Sequence, residues 1–458
     1  MSKVAQRTLG GDDMTLSLGQ KAGWGLADMG VVVFVVVKQL LILTFLTSYL
    51  GVPVGIAGFV TTAVLIFDMI TDPLIGYFSD RTQSRFGRRA PWMAIGAVVM
   101  AAAIVALFAV PAGLSQTGNL AWVTGFFIIA TIGFTMVSIP YGAQAGEVTQ
   151  DPKERSAMTG WRMGFASVGI LIGGALIPGL AQGMGYAMAA AVVAPLIIGA
   201  VWISLFATRN APRVEEASTT TLTGMFSLVL SNKPFVVLTL LYGVMTLAIA
   251  LITAGLPFAA LYLIADTGDT MLSGAAKALS TLSLLFAAFV VGSILSQVVW
   301  VLLSNRLGKL WALVLGLCLY VVLLYALNGV LPSVNVTAVA GMFVLAGMTN
   351  GAYQQIPWAM YPDLMDVTRR ESGAAIEGAF SAIWLLGQKL ANAIAPAVLG
   401  LILARAGWQE STEGVAAQSD TALAALLTSI TLIPAGILVI AVIGLCTIYA
   451  PLIRRAHV

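Results

Sequence analysis

The chain is 458 residues long, 59% hydrophobic and only 9% charged, against roughly 25% charged in a typical soluble domain. So few charges cannot cover a soluble fold of this size, and a mean hydropathy of +0.95 excludes a disordered chain, which needs low hydrophobicity and high charge. A net charge of +3 is too small to point to nucleic acid, so the partner implied is a lipid bilayer.

Residues 1–20 are polar, include Asp12 and Asp13, and do not read as a secretory signal. After them come twelve apolar segments, each long enough to span at about 20 residues per crossing. They cover roughly 23–50, 54–77, 92–112, 120–146, 158–182, 186–208, 234–262, 275–304, 310–331, 336–361, 374–405 and 422–450. With the N-terminus in the cytoplasm, 18 of the 23 basic residues fall in cytoplasmic segments, two (Lys277 and Arg405) fall in external loops, and Lys38, Arg162 and Lys389 lie within or at the edge of helices. That bias fits the positive-inside rule and an even number of crossings with both termini cytoplasmic. The fold class expected is an all-α membrane protein of twelve transmembrane helices, with six in residues 1–208, a cytoplasmic linker over 209–233, and six in 234–458.

Cys318 and Cys446 sit inside apolar runs and read as packing residues. The single histidine, His457, is penultimate, which argues against histidine or metal chemistry in the membrane. No intramembrane nucleophile or metal set is evident, so neither an enzyme nor a cofactor is expected.

The second segment ends in Gly76, Asp80 and Arg81, followed by Arg85, Gly87, Arg88 and Arg89. The eighth ends in Ser304, Asn305 and Arg306, followed by Gly308 and Lys309. Matching basic loops in two six-helix halves suggest a parallel repeat of the major facilitator type. The plainer alternative is a set of arginines that only fix topology.

An ionisable side chain at mid-bilayer costs about 2.5–3.5 kcal/mol, so each is a functional candidate. In chain order the first considered is Lys38, beside Gln39. It lies about 18 Å from the outer end of its helix at 1.5 Å per residue. Asp68 lies about 21 Å deep on the second helix by the same measure. Asp68 and Asp72 are one turn apart on one face, with Thr61 on the same stripe and Thr71 beside them. Two carboxylates so placed repel, which favours a shared proton or a bound cation with oxygen ligands. The competing reading is a salt bridge that only holds helices together.

Lys38 has three readings: a built-in cation for Asp68 or Asp72, a binder of an anionic substrate such as a uronide, or a structural partner of another polar group. Further along, Asn350, Gln354 and Tyr361 lie roughly on one face of the tenth segment, with Tyr353, Gln355 and Trp358 nearby. Ser381, Trp384 and Gln388 share a face of the eleventh with Glu377. Rings stack on sugar faces and amides bond hydroxyls, so these residues suit a sugar-lined pore, although each alone also serves as helix–helix glue.

Three blocks of sequence are similar to one family. The first is Asp68, Thr71-Asp72-Pro73, Gly76, Asp80-Arg81 and Arg85-Phe86-Gly87-Arg88-Arg89. The second is Ile139-Pro140-Tyr141-Gly142, Glu147, Asp151, Glu154-Arg155 and Trp161-Arg162. The third is Asp363, Asp366, Gly373, Glu377-Gly378, Phe380-Ser381 and Lys389. In this order they resemble the glycoside–pentoside–hexuronide:cation symporters of the melibiose-permease type, within the major facilitator superfamily.

The resemblance implies sugar uptake driven by H⁺ or Na⁺. It places cation coupling at Asp68, Thr71 and Asp72, with Ser138 matching the position of a third acid. It points to Arg162 and Lys389 for substrate contact or charge neutralisation, and Tyr141 joins Lys38, Gln39, Gln354, Trp384 and Gln388 as a substrate candidate. An ungapped match puts Val32 where an acid on the first helix binds sugar. Asp80, Arg81, Arg88, Glu147, Arg155, Asp363 and Asp366 read as gate or scaffold charges at cytoplasmic ends. The expected protein is a monomeric sugar symporter of the bacterial inner membrane. Transport of an anionic sugar or a lysolipid, with coupling altered or replaced by Lys38, is the alternative.

Overall fold

The computed structural model describes residues 16–149, 152–211, 229–264, 268, 270–331, 335–372 and 377–455, and the statements below concern these. Helix α1 (Leu18–Leu40) opens on a reciprocal cap: the Gln20 amide donates to Ser17 Oγ, and the Ser17 amide donates to the Gln20 side chain. It continues through Ile42–Thr44 into a π-helical turn at Phe45–Tyr49. Then come α2 (Val54–Arg81), α3 (Ala90–Phe108), α4 (Gln116–Val148), α5 (Pro152–Leu171) and α6 (Ile177–Ala207). The second half holds α7 (Lys233–Tyr262), α8 (Thr281–Leu307), α9 (Lys309–Val330), α10 (Val336–Ser372), α11 (Glu377–Arg405) and α12 (Asp420–Arg454).

Eleven of these runs are long and apolar enough to cross a membrane, and one of them, Ala157–Ala207, has 51 residues. Neighbours along α1 show that this long run crosses twice. Gly25 abuts Trp161 and Arg162, Gly169 abuts Met29, and Gly173 abuts Val33, so α5 runs parallel to α1. Gly30 abuts Ile197 and Gly23 abuts Ala207, so the later part of α6 runs antiparallel. The reversal falls at Gly185, whose φ of 79° and ψ of 160° no helix permits. The protein is therefore a multi-pass membrane protein with twelve crossings among the described residues.

Helix ends differ from the apolar segments because hydropathy marks only what lies in hydrocarbon. The tenth helix runs on to Ser372, eleven residues past the expected end. A separate helix, Ser273–Leu279, precedes α8 and is divided from it by Ser280 at φ 77°. Residues 212–228 of the expected linker lie outside the described residues.

Chain termini mark one end of the bundle, and the other is here called distal. At the distal end the halves are joined. The Gly51 amide donates to the Ser411 carbonyl (2.9 Å), the Ser411 amide to the Thr47 carbonyl (3.1 Å), and the Gly414 amide to the Ser48 carbonyl (2.8 Å). Below them α2 and α11 cross closely: a Cβ on Gly58 would stand 2.4 Å from the Pro396 carbonyl oxygen. The Thr62 hydroxyl enters the α11 backbone, donating to the Ala393 carbonyl and accepting from the Ala397 amide. These ties join the halves on one side of the distal end, beside a cavity of about 610 Å³ lined by Phe45 and Tyr186 of the first half and by Pro257 and Lys277 of the second.

Candidate functional site: two buried charge clusters

Four charged side chains meet where the halves touch. From α1, Lys38 Nζ donates to Asp68 Oδ2 at 2.9 Å. From α11, Lys389 Nζ lies 3.4 Å from the same oxygen and is also hydrogen-bonded to Asp72 Oδ2. From α4, the Thr135 hydroxyl donates to Asp68 Oδ1 at 3.0 Å. The Phe134 ring lies 4.3 Å from Lys38 Nζ, and the Phe34 ring lies 5.5 Å from it. Asp68 is 2% exposed and Lys38 6%. Asp72 Oδ1 has no hydrogen-bond partner. Pro73 follows at once, and its missing amide frees a carbonyl one turn back and loosens α2 beside the acids.

The depth match expected for Lys38 and Asp68 is met as a direct contact, and the lysine faces a carboxylate instead of a substrate space. Two of the expected residues do not hydrogen-bond the acids' side chains. The Ser138 hydroxyl is buried without a hydrogen-bond partner, and Thr135, nearly one turn earlier, donates to Asp68. The Thr71 hydroxyl donates back to the Phe67 and Asp68 carbonyls of its own helix, a common use of threonine in helices. Thr61 likewise bonds the Ala57 carbonyl.

A second cluster lies within the first half. Asp28 on α1 pairs with Arg162 on α5, Oδ2 to Nε 3.2 Å. The Arg162 guanidinium sits 5.5 Å from the Tyr141 ring, and Trp24 stacks on the other side of Tyr141 with centroids 4.8 Å apart. The Trp24 indole nitrogen and the Tyr141 hydroxyl are buried without partners. Arg162 thus has a carboxylate and an aromatic ring as its neighbours. Asp28 was not foreseen, although it is the one acid of α1 and the rule that flagged Asp68 applies to it equally. Val32, where the ungapped match put a first-helix acid, lies one turn beyond Asp28.

The remaining candidates are scattered. Trp384 is fully buried, stacked between Tyr242 (4.2 Å) and Tyr361 (4.9 Å), so it packs the second half instead of lining a pore. Gln354 is exposed and accepts from the Ser293 hydroxyl at 3.1 Å. The Gln388 carbonyl accepts from Asn392, and Gln39 and Gln388 are both half-buried. Asp363 pairs with Lys309 at 2.6 Å within the second half. Arg81 lies over the Tyr77 ring at 3.5 Å. Arg88 lines a cavity of about 1140 Å³ at the terminal end, shared with Arg85, Arg89, Gln144 and Arg209. The side chains of Asp80, Glu147, Arg155 and Asp366 lie outside those described.

Outside the spans, Glu154 ties α1 to the α4–α5 turn. Burial alone would raise its carboxyl. Hydrogen bonds from Lys21, the Leu16 amide and Thr149 instead hold it below the usual carboxylate range.

The model of one family, described as MFS/sugar transport protein, matches residues 23–450. The chain belongs to that family. Among its relatives is YagG of Escherichia coli (strain K12), whose assigned name is glycoside/cation symporter. It is 26% identical over 410 residues, covering 87% of this chain and 85% of YagG. A protein of Salmonella typhimurium whose assigned name is sulfoquinovose importer is 25% identical over 451 residues, covering 95% and 90%. The solved structure of the nucleoside transporter NupG superposes with a TM-score of 0.63 at 13% identity, covering 94% and 98%. That likeness shows the fold, and this MFS sugar-transport protein shares it.

Proposed function

We propose that the protein is a cation-coupled symporter of a sugar or glycoside that works by alternating access. The observation that carries the reading is the buried ion cluster of Asp68, Asp72 and Lys389, because it joins helices of opposite halves. Making and breaking that contact is tied to the rocking of the halves, which is how a cation on one half can govern access to a central site. The family and the assigned names of the relatives supply the substrate class.

The Asp28–Arg162 cluster supports the position of the substrate. A guanidinium held on one edge by Asp28 keeps other donors for sugar oxygens. Trp24 and Tyr141 carry buried polar atoms without partners, a cost of about 1–3 kcal/mol each that substrate oxygens would offset. Cation and sugar favour each other's binding by the same factor, since linkage is reciprocal. The charge bias supports a cytoplasmic terminal end, and the relatives support a bacterial inner membrane.

A second reading concerns substrate charge. Arg162 is also suited to a carboxylate or sulfonate, and one relative is named for an anionic sugar, so an acidic sugar is the favoured variant within the class. Uptake into membrane vesicles over a panel of neutral glycosides, pentosides and uronides tests both readings. Saturable, gradient-driven accumulation of one member is expected. Competition by lysolipids but by no sugar would replace the sugar reading.

A further inference from the structure

We propose that Lys38 is a resident, covalently tethered cation that replaces a metal ion at Asp68, so that the exchangeable coupling cation is a proton taken by Asp72. This inference rests on the symport reading above and names its ion.

The first support is ligand count. Hard cations gather about six oxygens or more in the well-described cases. Both Asp68 oxygens already accept from protein donors: Oδ1 from Thr135, and Oδ2 from Lys38 and Lys389. Asp72 Oδ2 is taken by Lys389, which leaves Asp72 Oδ1 as the one unpartnered carboxylate oxygen of the cluster. A single oxygen is a place for a proton and a poor site for Na⁺ or Li⁺.

The second support is charge. Two carboxylates face two ammonium groups, so the cluster is neutral as it stands; a proton on Asp72 leaves the one added charge on Lys389, whose side chain is 29% exposed, whereas a metal ion at Asp68 would place it in the most buried part of the cluster. The third is the wall around Lys38. Phe134 and Phe34 offer ring faces, which attract an ammonium and supply no oxygen ligand.

The charged groups facing Asp72 from each packed element are few among the described side chains: Asp68 on its own helix, Lys38 from α1 and Lys389 from α11, while α4 brings Phe134 and Thr135. Protonation of Asp72 removes its negative charge and releases Lys389 from it. The lysine then has Asp68 at 3.4 Å and donors free for a substrate oxygen. Loss of the proton restores the Asp72–Lys389 pair, which is the state described here. Lys38 stays on Asp68 throughout.

The first test needs no sugar. The thermal stability of the purified protein is measured in NaCl, LiCl and choline chloride. The wild type is expected to be indifferent to the choice, and Lys38→Gln, with the tethered cation removed, to gain a Na⁺-dependent rise. A Na⁺-dependent rise in the wild type overturns the proposal, as does a folded Lys38→Gln protein indifferent to Na⁺. If that variant fails to fold, the wild-type measurement still decides.

The second test uses whichever panel sugar is transported. Replacing Na⁺ by choline should leave the rate within about twofold, while a protonophore should remove a roughly fiftyfold accumulation, the ratio one proton supplies at 100 mV (about 2.3 kcal/mol). Accumulation driven by Na⁺ in the presence of the protonophore overturns the proton assignment and leaves sugar symport standing. Absence of uptake for every sugar counts against the symport reading, while the ion-dependent stability is still read independently.

Discussion

The two buried clusters of this protein are built from the same materials and differ in what they join. Asp28, Arg162, Trp24 and Tyr141 all belong to the first half, so rocking of the halves leaves their mutual geometry intact. Asp68 and Asp72 are held by Lys389 across the interface between halves, so their contacts change whenever the interface opens. The first cluster has unpartnered donors and a half-exposed guanidinium, which suits recognition. The second is nearly saturated and neutral, which suits a switch. The location of a charge relative to the moving boundary separates binding from coupling, even where both lie at similar cost in the membrane.

That contrast is most sharply broken at Arg162. Arg162→Ala leaves Asp28 buried without its charge partner, at a cost of about 3–5 kcal/mol. The substrate also loses the guanidinium donors, and two charge-assisted hydrogen bonds of about 1.5–3 kcal/mol each, at 1.4 kcal/mol per tenfold, put uptake below about one hundredth of wild type. Arg162→Lys keeps the charge and loses the planar fork, so it should fold yet bind sugar weakly in a ligand-stabilisation assay. Wild-type uptake by either variant would remove the cluster from the substrate site.

Asp72→Asn should abolish uphill accumulation while sparing exchange of labelled for unlabelled sugar, since the site in the first half is untouched. Concentrative uptake by this variant would return Asp72 to a structural role. At the distal crossing, Gly58→Leu forces a side chain against the Pro396 carbonyl and should hinder closure. Transport is expected to fall about tenfold or more, with sugar binding retained, as small residues are what allow helices to approach so closely. Equal loss of binding and transport would mean that the change disturbs the fold generally.

The smallest effect lies outside the membrane. Glu154 has a depressed carboxyl pKa, so its contribution is present above the unfolded value of about 4.3 and is lost as pH falls through the folded value. Glu154→Gln should lower the melting temperature near neutral pH, with a difference from wild type that shrinks on acidification. A difference that is constant with pH would show that the charge does not matter there.

Much of the fold was legible because the bilayer imposes it. Backbone groups in hydrocarbon must be satisfied within helices, so apolar runs gave the spans and basic residues gave a topology. What the runs could not show was the polar continuation of α10 to Ser372, whereas the turn at Gly185 falls in the gap expected between segments 158–182 and 186–208. In the site, scarcity made Asp68, Asp72, Lys38, Arg162 and Lys389 visible, since each charge is costly where it stands. Asp28 carried the same signal and was passed over, although it is the one acid of α1.

Partners were a different matter. Whether Ser138 or Thr135 meets Asp68 depends on the rotation of α4 about its axis, which packing fixes. Whether Trp384 lines a pore or fills a stack depends on Tyr242, 142 residues away in the chain. The sequence by itself determined that this protein lives in a membrane, crosses it many times and buries a handful of ionisable groups, because the energy of each residue in hydrocarbon is local. Only the tertiary structure decided which of those groups neutralise one another, because charge pairing depends on distances between helices that periodicity does not encode. Lys38 belongs to Asp68 for that reason.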